Sequence, residues 1–577
     1  MASNQYGVVF NGRRITHPGA YDAEDATATT VVTAGSLNTP IVIGNADAGQ
    51  PGVVQWFTSS ADLHNALGSG DAVVAGDLMF SPVPEGGGGA SIIGVIVANA
   101  NTQASVTAGG ATYTALNYGQ EGNRIQVKVE DGSVAGSKKF TAFRWDTNYM
   151  EVEDSIGAIL NISYTGAQAY ADVTVTQVSG VATAITTHVG ATAMAATADL
   201  SLDLTSGRFN TIQDVADYIN SVSNYVATYV NYNRDFDLPV GSLDATVAPV
   251  VITGANGGYL MALKADLAHF INNNSSLVTV NVTGAIVDFP FTYLTNGATG
   301  IAPTSWVTYL DTVKKQFSDI LVILSSSESI HAEALTHVQE MMIRNQKQML
   351  FTGGAVGEAT ELVKQRAATL NSDRAVLAYP GIYAKAVNGG KTVLAPYFTA
   401  ALIAGRVCGV DASEPITFDY FDLIGLEVDM LAGDPDIDDL VNSGVATLER
   451  VQNGAIRLVQ GITTYLGANN PLYREISVRR GADKVANSMR QAMEDAFVGK
   501  KGIRATASAV QTKATDVLDQ AVSDGDITAY QNIVVRFDGT AVYVDYQVAP
   551  VEPINFILDT AHFVPDSSIP QQSDSNS

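Results

Sequence analysis

The sequence predicts a mixed α/β and α+β multidomain protein, with a central, mostly parallel α/β sheet core, β-rich insertion domains and extended terminal arms. Three observations predict it. The chain has 577 residues, more than one hydrophobic core organises, since single cores stop growing near about 250 to 300 residues. After Gly297 short apolar runs alternate with helical periods, the rhythm of βαβ units and a parallel sheet. From about Ala104 to Gly284 the character is instead Thr/Val/Gly-rich alternation with few charges, as in Ala171 to Val178 and Ser276 to Val282, which reads as inserted strands joined by glycine turns.

In chain order, Tyr6 to Asp25 has no helical period and contains Pro18, so it predicts an extended arm with short strand segments. Thr39 to Gly44 is a short apolar strand, the turn Gly49 to Gly52 breaks it, and Val53 to Phe57 is a second. Ser59 or Ser60 caps a helix carrying Leu63 and Leu67. Asp71 to Phe80 is a further helix, and Ser91 to Ala98 a buried strand. Within the insertion, Ile212 to Tyr229 reads as a helical patch. The βαβ region then runs as helix Ser305 to Gln316, strand Ile320 to Leu324, helix Glu328 to Asn345, strand Gln348 to Thr352, helix Glu358 to Leu370 and strand Ala375 to Ala378. Beyond Asp434 the spacing predicts two helices, Ala482 to Phe497 and Thr506 to Gln520. A hairpin follows, Asn532 to Phe537 and Ala541 to Val548 about the turn Asp538-Gly539, and then a last strand, Pro553 to Phe563, set apart by Pro550 and Pro553.

Charge and cysteine usage exclude several classes. A formal charge of -26 repels nucleic acid and anionic membranes from the molecule as a whole, and no run of about 18 apolar residues spans a bilayer. Met1 to Ala20 lacks the apolar stretch of a secretory signal, so folding in a cytoplasm is expected. Cys408 is the single cysteine; it predicts a small buried hydrophobe and no disulfide within the chain.

Candidate chemistry fails on spacing, and neither a cofactor nor a metal is expected. Gly353 to Gly357 lies between a strand and a helix, where a glycine loop can hold phosphate, but it lacks the Lys-Ser/Thr of a P-loop and the G-x-G-x-x-G pattern, so it reads as a tight turn. His331 and His337 are six residues apart, on different helix faces, whereas a zinc helix needs i and i+4; a solvated or capping role is expected. The acids Asp429, Asp434, Asp436, Asp438 and Asp439 lack the Gly and closing Glu of a calcium loop and read as a solvated helix start. Against this acidic background, Arg474, Arg479, Arg480, Lys484, Arg490, Lys500, Lys501 and Arg504 gather late, which points to a solvated face or to an electrostatic contact with a partner.

Several stretches, in order, resemble the tail sheath family of contractile phage tails and related injection machines. They are Thr16-His17-Pro18-Gly19-Ala20-Tyr21, then Gly49-Gln50-Pro51-Gly52, then Gly122-Asn123-Arg124-Ile125-Gln126-Val127, with Glu121 where the family commonly has Trp. Next come Leu294-Thr295-Asn296-Gly297 with Trp306, and Ile330-His331-Ala332-Glu333. The last is Ala496 to Lys500, running through the hairpin to Val548-Ala549-Pro550-Val551-Glu552-Pro553-Ile554.

The resemblance implies a structural protein, not an enzyme, that polymerises with copies of itself as a helical sheath of hexameric rings. It would surround a tail tube protein and meet baseplate and tail terminator proteins in a virion tail assembled in the host cytoplasm, without binding nucleic acid or inserting into a membrane. It further implies a division into an arm (1–25), first core part (26–103), outer insertion (104–290), α/β domain (291–433), C-terminal core with acceptor hairpin (434–549) and C-terminal arm (550–577). The arms and hairpin would contact neighbouring subunits through Val8, Val9, Phe10, Ile15, Val534, Val542, Val544, Tyr546, Ile554, Phe556 and Leu558. Lys484, Arg490, Lys500 and Lys501 would face the tube. An α/β enzyme is the alternative reading, though the residues assemble no nucleophile, base or metal ligands. A secreted surface-layer protein or adhesin is the other, and the predicted helices and absent signal run against it.

Overall fold

The computed structural model describes residues 8–10, 13–15, 38–85, 88–230, 238–254, 257–385, 391–467, 473–497, 506–538 and 541–555. It is mixed α/β, with several sheets. The largest has nine strands in the order Tyr420–Phe421, Ile456–Leu458, Val445–Arg450, Ala375–Tyr379, Met349–Gly353, Ile320–Ile323, Pro40–Gly44, Ile93–Val97, Val54–Phe57. The six from Val445–Arg450 to Ile93–Val97 pair in parallel, and the outer strands pair antiparallel. Parallel strands are covered on both faces, so they read as unbroken apolar runs; Ile320–Ile323 and Ala375–Tyr379 are buried at every position.

The helix Pro396–Cys408 explains how closely this sheet is covered. Eleven of its residues are buried, and it packs on the strands Ile320–Ile323, Met349–Gly353 and Ala375–Tyr379 and against helix Asp71–Phe80. Gly405 permits the helix contact: a Cβ there would lie 2.4 Å from the Met79 Cα, inside any allowed separation. Cys408 belongs to this core, and burial pushes its thiol well above the ordinary range.

Between the strand Ile93–Val97 and the helix Val307–Val313 the chain builds two further cores, one nested in the other. The outer gathers Ala104, Tyr113, Val127, Phe140, Leu267 and Val278; the inner gathers Leu160, Val173, Ile185, Val215, Ala227 and Leu260. Helix formation stops earlier here than the sequence suggests. A capping box between Thr211 and Asp214 opens Ile212–Ser221, but the chain then turns through Asn224 at φ 73. Tyr225–Tyr229 pairs instead with Ala158–Tyr164, because its alternating aromatic and β-branched side chains fit a half-buried strand better than a helix.

The C-terminal part also differs from expectation at its edges. The long helix is Ile476–Phe497, six residues longer at its start than predicted, and Gly481 lies inside it where the backbone passes Ser413. Helix Ala507–Ser523 packs on it and on the hairpin Ile527–Asp538 and Ala541–Pro550, whose strands outrun the predicted ones. A bulge between Gln531 and Val534, with Asn532 at φ 57, re-aims the outer half of the first strand. Residues 553–555 are not in a strand, and the rest of the predicted last strand lies outside the described residues.

Candidate assembly surfaces

The hairpin presents two faces and two open edges. One face carries Tyr530, Ile533, Val544, Tyr546 and Val548 against the helix pair, completing a small core with Val485, Met489, Ala514 and Leu518. Past the bulge, Val534, Phe537, Val542 and Tyr543 are exposed. Phe537 and Val542 pair directly, so exposed apolar side chains sit side by side near the tip. Among the described residues these two strands pair only with each other, which leaves a row of free N–H and C=O groups along each edge.

Of the predicted contact residues, the structure therefore places Val534 and Val542 on open surface and Val544 and Tyr546 partly in the small core. Val8, Val9, Phe10 and Ile15 belong to two short strands that pair with one another, Val8 opposite Ile15 and Phe10 opposite Arg13, so the arm contains a small hairpin rather than a wholly extended run. Ile554 is exposed, one residue before Asn555, whose Nδ2 donates to Glu475 Oε1 at 3.0 Å. That bond tethers the start of the C-terminal segment to the body. Phe556 and Leu558 lie outside the described residues.

Among the described residues, the late basic run is largely consumed inside the protein. Arg480 lies 3.5 Å from Asp319 and donates to the Val407 carbonyl. Arg479 pairs with Asp373 and Asp483. Lys484 Nζ sits 3.0 Å from Asp411 and 2.8 Å from Asp526, so its charge is answered within the subunit. Arg490 is exposed and pairs with Glu494 one turn on, a weak attachment that competes poorly with another partner. Lys500 and Lys501 lie outside the described residues.

Each candidate for chemistry is filled from within. At the glycine loop, Glu358 Oε2 accepts from Ala355 N at 3.0 Å, Glu427 accepts from the Gly357 amide, and Arg366 binds Glu358 at 2.7 Å. Carboxylates of the chain itself thus occupy the place where an anion would sit. Asp434 caps the helix Pro435–Asn442, while Asp429 and Asp439 pair with Arg450 and Lys364.

His331 and His337 correct the sequence reading, for both are buried rather than solvated. His331 Nε2 lies 2.6 Å from the Ser325 carbonyl and from the Thr352 hydroxyl, and Arg366 approaches its Nδ1 at 3.4 Å; the network assigns a neutral ring with Nε2–H donating. His337 Nε2 meets Gln348 Oε1 at 3.0 Å. Both faces are covered because the helix Glu328–Ile343 packs on the strand Met349–Gly353 and also against the helices Val307–Val313 and Thr360–Leu370, so positions on different sides of it are buried.

Burial pushes both imidazoles down to about 4. The unfolded chain, with an ordinary histidine value near 6.5, takes up protons between those limits that the folded chain refuses. Stability from these rings is therefore complete above about pH 6.5 and lost as pH falls toward 4, by up to about 3 kcal/mol each. Chemical unfolding at pH 7 and pH 4.5 is expected to show a smaller acid loss in the His331→Gln, His337→Gln double variant than in the unaltered chain; an equal loss refutes the assignment.

Sequence reasoning missed the buried ionic seat of the long helix. Arg374, 1% exposed, binds Asp483 through both Nη atoms at 2.8 and 2.9 Å. Asp319 accepts from the Asn38 and Thr39 amides. These pairs bridge positions more than a hundred apart in sequence, and apolar periodicity carries no signal for them.

Taken together, nested domains on a large sheet, internally answered charges and a hairpin with two open edges define a structural, self-associating α/β subunit. Comparison with known proteins identifies its family. Residues 468–563 match the model of the phage tail sheath C-terminal domain. The chain is 56% identical over 567 residues to the tail sheath protein of Bacillus phage SP01, covering 98% of this chain and 99% of that one. It is 24% identical to the tail sheath protein of Staphylococcus phage Twort, over 95% and 97% of the two chains. In fold it resembles the crystal structure of a sheath tail protein from Desulfitobacterium hafniense, with TM-score 0.55 and 14% identity over 93% of this chain and 97% of that one. The chain belongs to the phage tail sheath protein family. It is a structural component of the virion tail and not an enzyme.

Proposed function

We propose that the protein is the subunit of a contractile bacteriophage tail sheath, polymerising as stacked hexameric rings around a tail tube and shortening to drive that tube through the host envelope. The observation that carries this reading is the hairpin of Ile527–Asp538 and Ala541–Pro550, open along both edges, in a chain with further residues beyond the core at each end. Terminal arms of neighbouring copies extend it by β-augmentation. Each added backbone hydrogen bond contributes about 0.5 to 1.5 kcal/mol net, and every subunit repeats the set, so the lattice is strong although each bond is weak.

In this reading the nine-stranded sheet is the central core, the two nested units from about residue 104 to 290 decorate the outside, and residues 1–25 and 550–577 are the arms. Subunit bodies rotate between two packings while the arms stay paired. Contacts along the axis are heterologous and do not close, so rings stack into a tube. Assembly takes place in the host cytoplasm, with tail tube, baseplate and tail terminator proteins as partners. Arg490, with Lys500 and Lys501, supplies the tube contact; Lys484, committed to Asp411 and Asp526, contributes least.

Electron microscopy of the purified protein tests the reading: helical tubes or stacked rings are expected, and monodisperse particles at all concentrations defeat it. On isolated tail tubes, Arg490→Glu with Lys500→Glu is expected to reduce the bound fraction while leaving the fold intact. Unchanged binding removes the tube contact from the proposal.

A further inference from the structure

Two exposed apolar patches of opposite charge lie at opposite ends of the central sheet. The first is at the ends from which the parallel strands exit. Leu431 bridges to Arg450 at the close of Val445–Arg450, and Tyr420 pairs beside it with Arg457. Glu427 accepts from the Gly381 amide just after Ala375–Tyr379. Phe418, Tyr420, Ile424 and Leu431 are exposed here. Phe418 is held at φ 65, in the left-handed region that costs a bulky residue, with the Arg457 guanidinium 3.8 Å from its ring centre. From Phe418 to Asp439 the chain has eight carboxylates and no lysine or arginine. Among the described residues, Asp422, Asp436 and Asp438 are exposed and in no ion pair.

The second patch is at the ends where the strands enter. Phe317 precedes Ile320–Ile323, and Met342 and Ile343 end the helix Glu328–Ile343 before the turn leading to Met349–Gly353. Phe317 is 57% and Ile343 79% exposed. The flanking segments 312–318 and 341–348 contain Lys314, Lys315, Arg344 and Lys347; of the carboxylates that border them, Asp311 and Glu340 are both taken up by Lys314 and Asp319 accepts from the Asn38 and Thr39 amides. Lys315 and Arg344 are exposed; neither is in an ion pair among the described residues.

We infer that these patches are the two halves of one body-to-body contact, the acidic apolar exit end of one subunit's sheet receiving the basic apolar entry end of a second copy. Charge complementarity selects that occupant. In an acidic chain, like ends repel, so two copies meet head to tail and not head to head. Lying at opposite ends of one sheet, the patches form a heterologous contact that propagates instead of closing into a dimer. The apolar side chains supply the area, and the charges set orientation and register. The inference rests on the sheath reading only in requiring that copies stack, and it needs neither arm.

The test uses charge exchange in the full chain. Lys315→Glu with Arg344→Glu makes both ends acidic; Asp422→Lys, Asp436→Lys and Asp438→Lys together make both ends basic. Neither variant alone is expected to form tubes at low salt where the unaltered chain does, and an equimolar mixture is expected to restore them, because alternating copies then present opposite charges at every junction. Tubes from either variant alone, or a mixture of folded variants that stays dispersed, overturn the inference. A milder variant guards against misfolding: Lys315→Gln with Arg344→Gln is expected to raise the protein concentration needed for tubes about tenfold or more, and an unchanged threshold also overturns it. The unaltered chain in the same series reports separately on the sheath reading, since its tubes form whichever way the variants behave.

Discussion

Replacing Asp483 by alanine is expected to destabilise the subunit by about 3 to 5 kcal/mol, the range for removing one partner of a buried ion pair. Arg374 has no route to water, and its two Nη contacts to Asp483 are its charge-assisted ones; the Gln348 carbonyl at 3.3 Å is a poor substitute. Arg479 and Lys347 also face Asp483, at 3.1 and 3.8 Å, so the variant leaves three cations together without their central anion. Repulsion then adds to desolvation. Replacing both partners, Arg374→Met with Asp483→Leu, is expected to cost much less, because no charge is stranded. Chemical unfolding of the two variants checks this; a loss under about 1 kcal/mol for Asp483→Ala would show that the guanidinium recruits solvent and that the pair behaves as a surface one. The effect reaches assembly as well as stability, because this network seats the helix whose next two turns carry Val485 and Met489 into the small core beneath the hairpin.

The parallel strands were legible because burial on both faces leaves mostly apolar residues in them, and a run as short as Ile320–Ile323 between two helical periods fits a buried strand better than a helix. The helices between them were legible for the complementary reason, a one-sided period of 3.6 residues. What resisted reading depended on partners distant in sequence. Gly481 looks like a helix boundary on local propensity, yet it lies within Ile476–Phe497, where six residues before Ala482 are held by contacts to Asp319, Asp373 and the Val407 carbonyl. Tyr225–Tyr229 continues a helical pattern until Ala158–Tyr164 offers it a sheet. His331 and His337 look solvated until Thr352, on the next strand, and Gln348, just before it, arrive to satisfy them. On the assembly surface, the hairpin was legible from its Asp-Gly turn, but the availability of Arg490 and the commitment of Lys484 were not, because Asp411 and Asp526 are contributed by other parts of the chain.

Deleting residues 1–20 is expected to abolish ordered tubes while leaving a folded, dispersed subunit. The fold survives because the main core begins at Ile41, and the deletion removes none of its side chains. Assembly fails because of the arm's own energetics. Within one chain, Val8–Phe10 and Arg13–Ile15 form only a three-residue pairing, and an isolated two-stranded hairpin is marginal in water. The same backbone groups laid along an edge of Ile527–Asp538 or Ala541–Pro550 meet a partner more than three times as long and already fixed by packing. Exchange therefore gives up a few weak hydrogen bonds for several supported ones, at about 0.5 to 1.5 kcal/mol each, and an arm of about 20 residues reaches up to roughly 65 Å, enough to cross a neighbour. Light scattering and negative-stain microscopy decide the matter. Normal tubes from the shortened chain refute the exchange and leave the lattice to body contacts alone, whereas a dispersed subunit with unchanged thermal unfolding shows that the arm acts between copies and not within one.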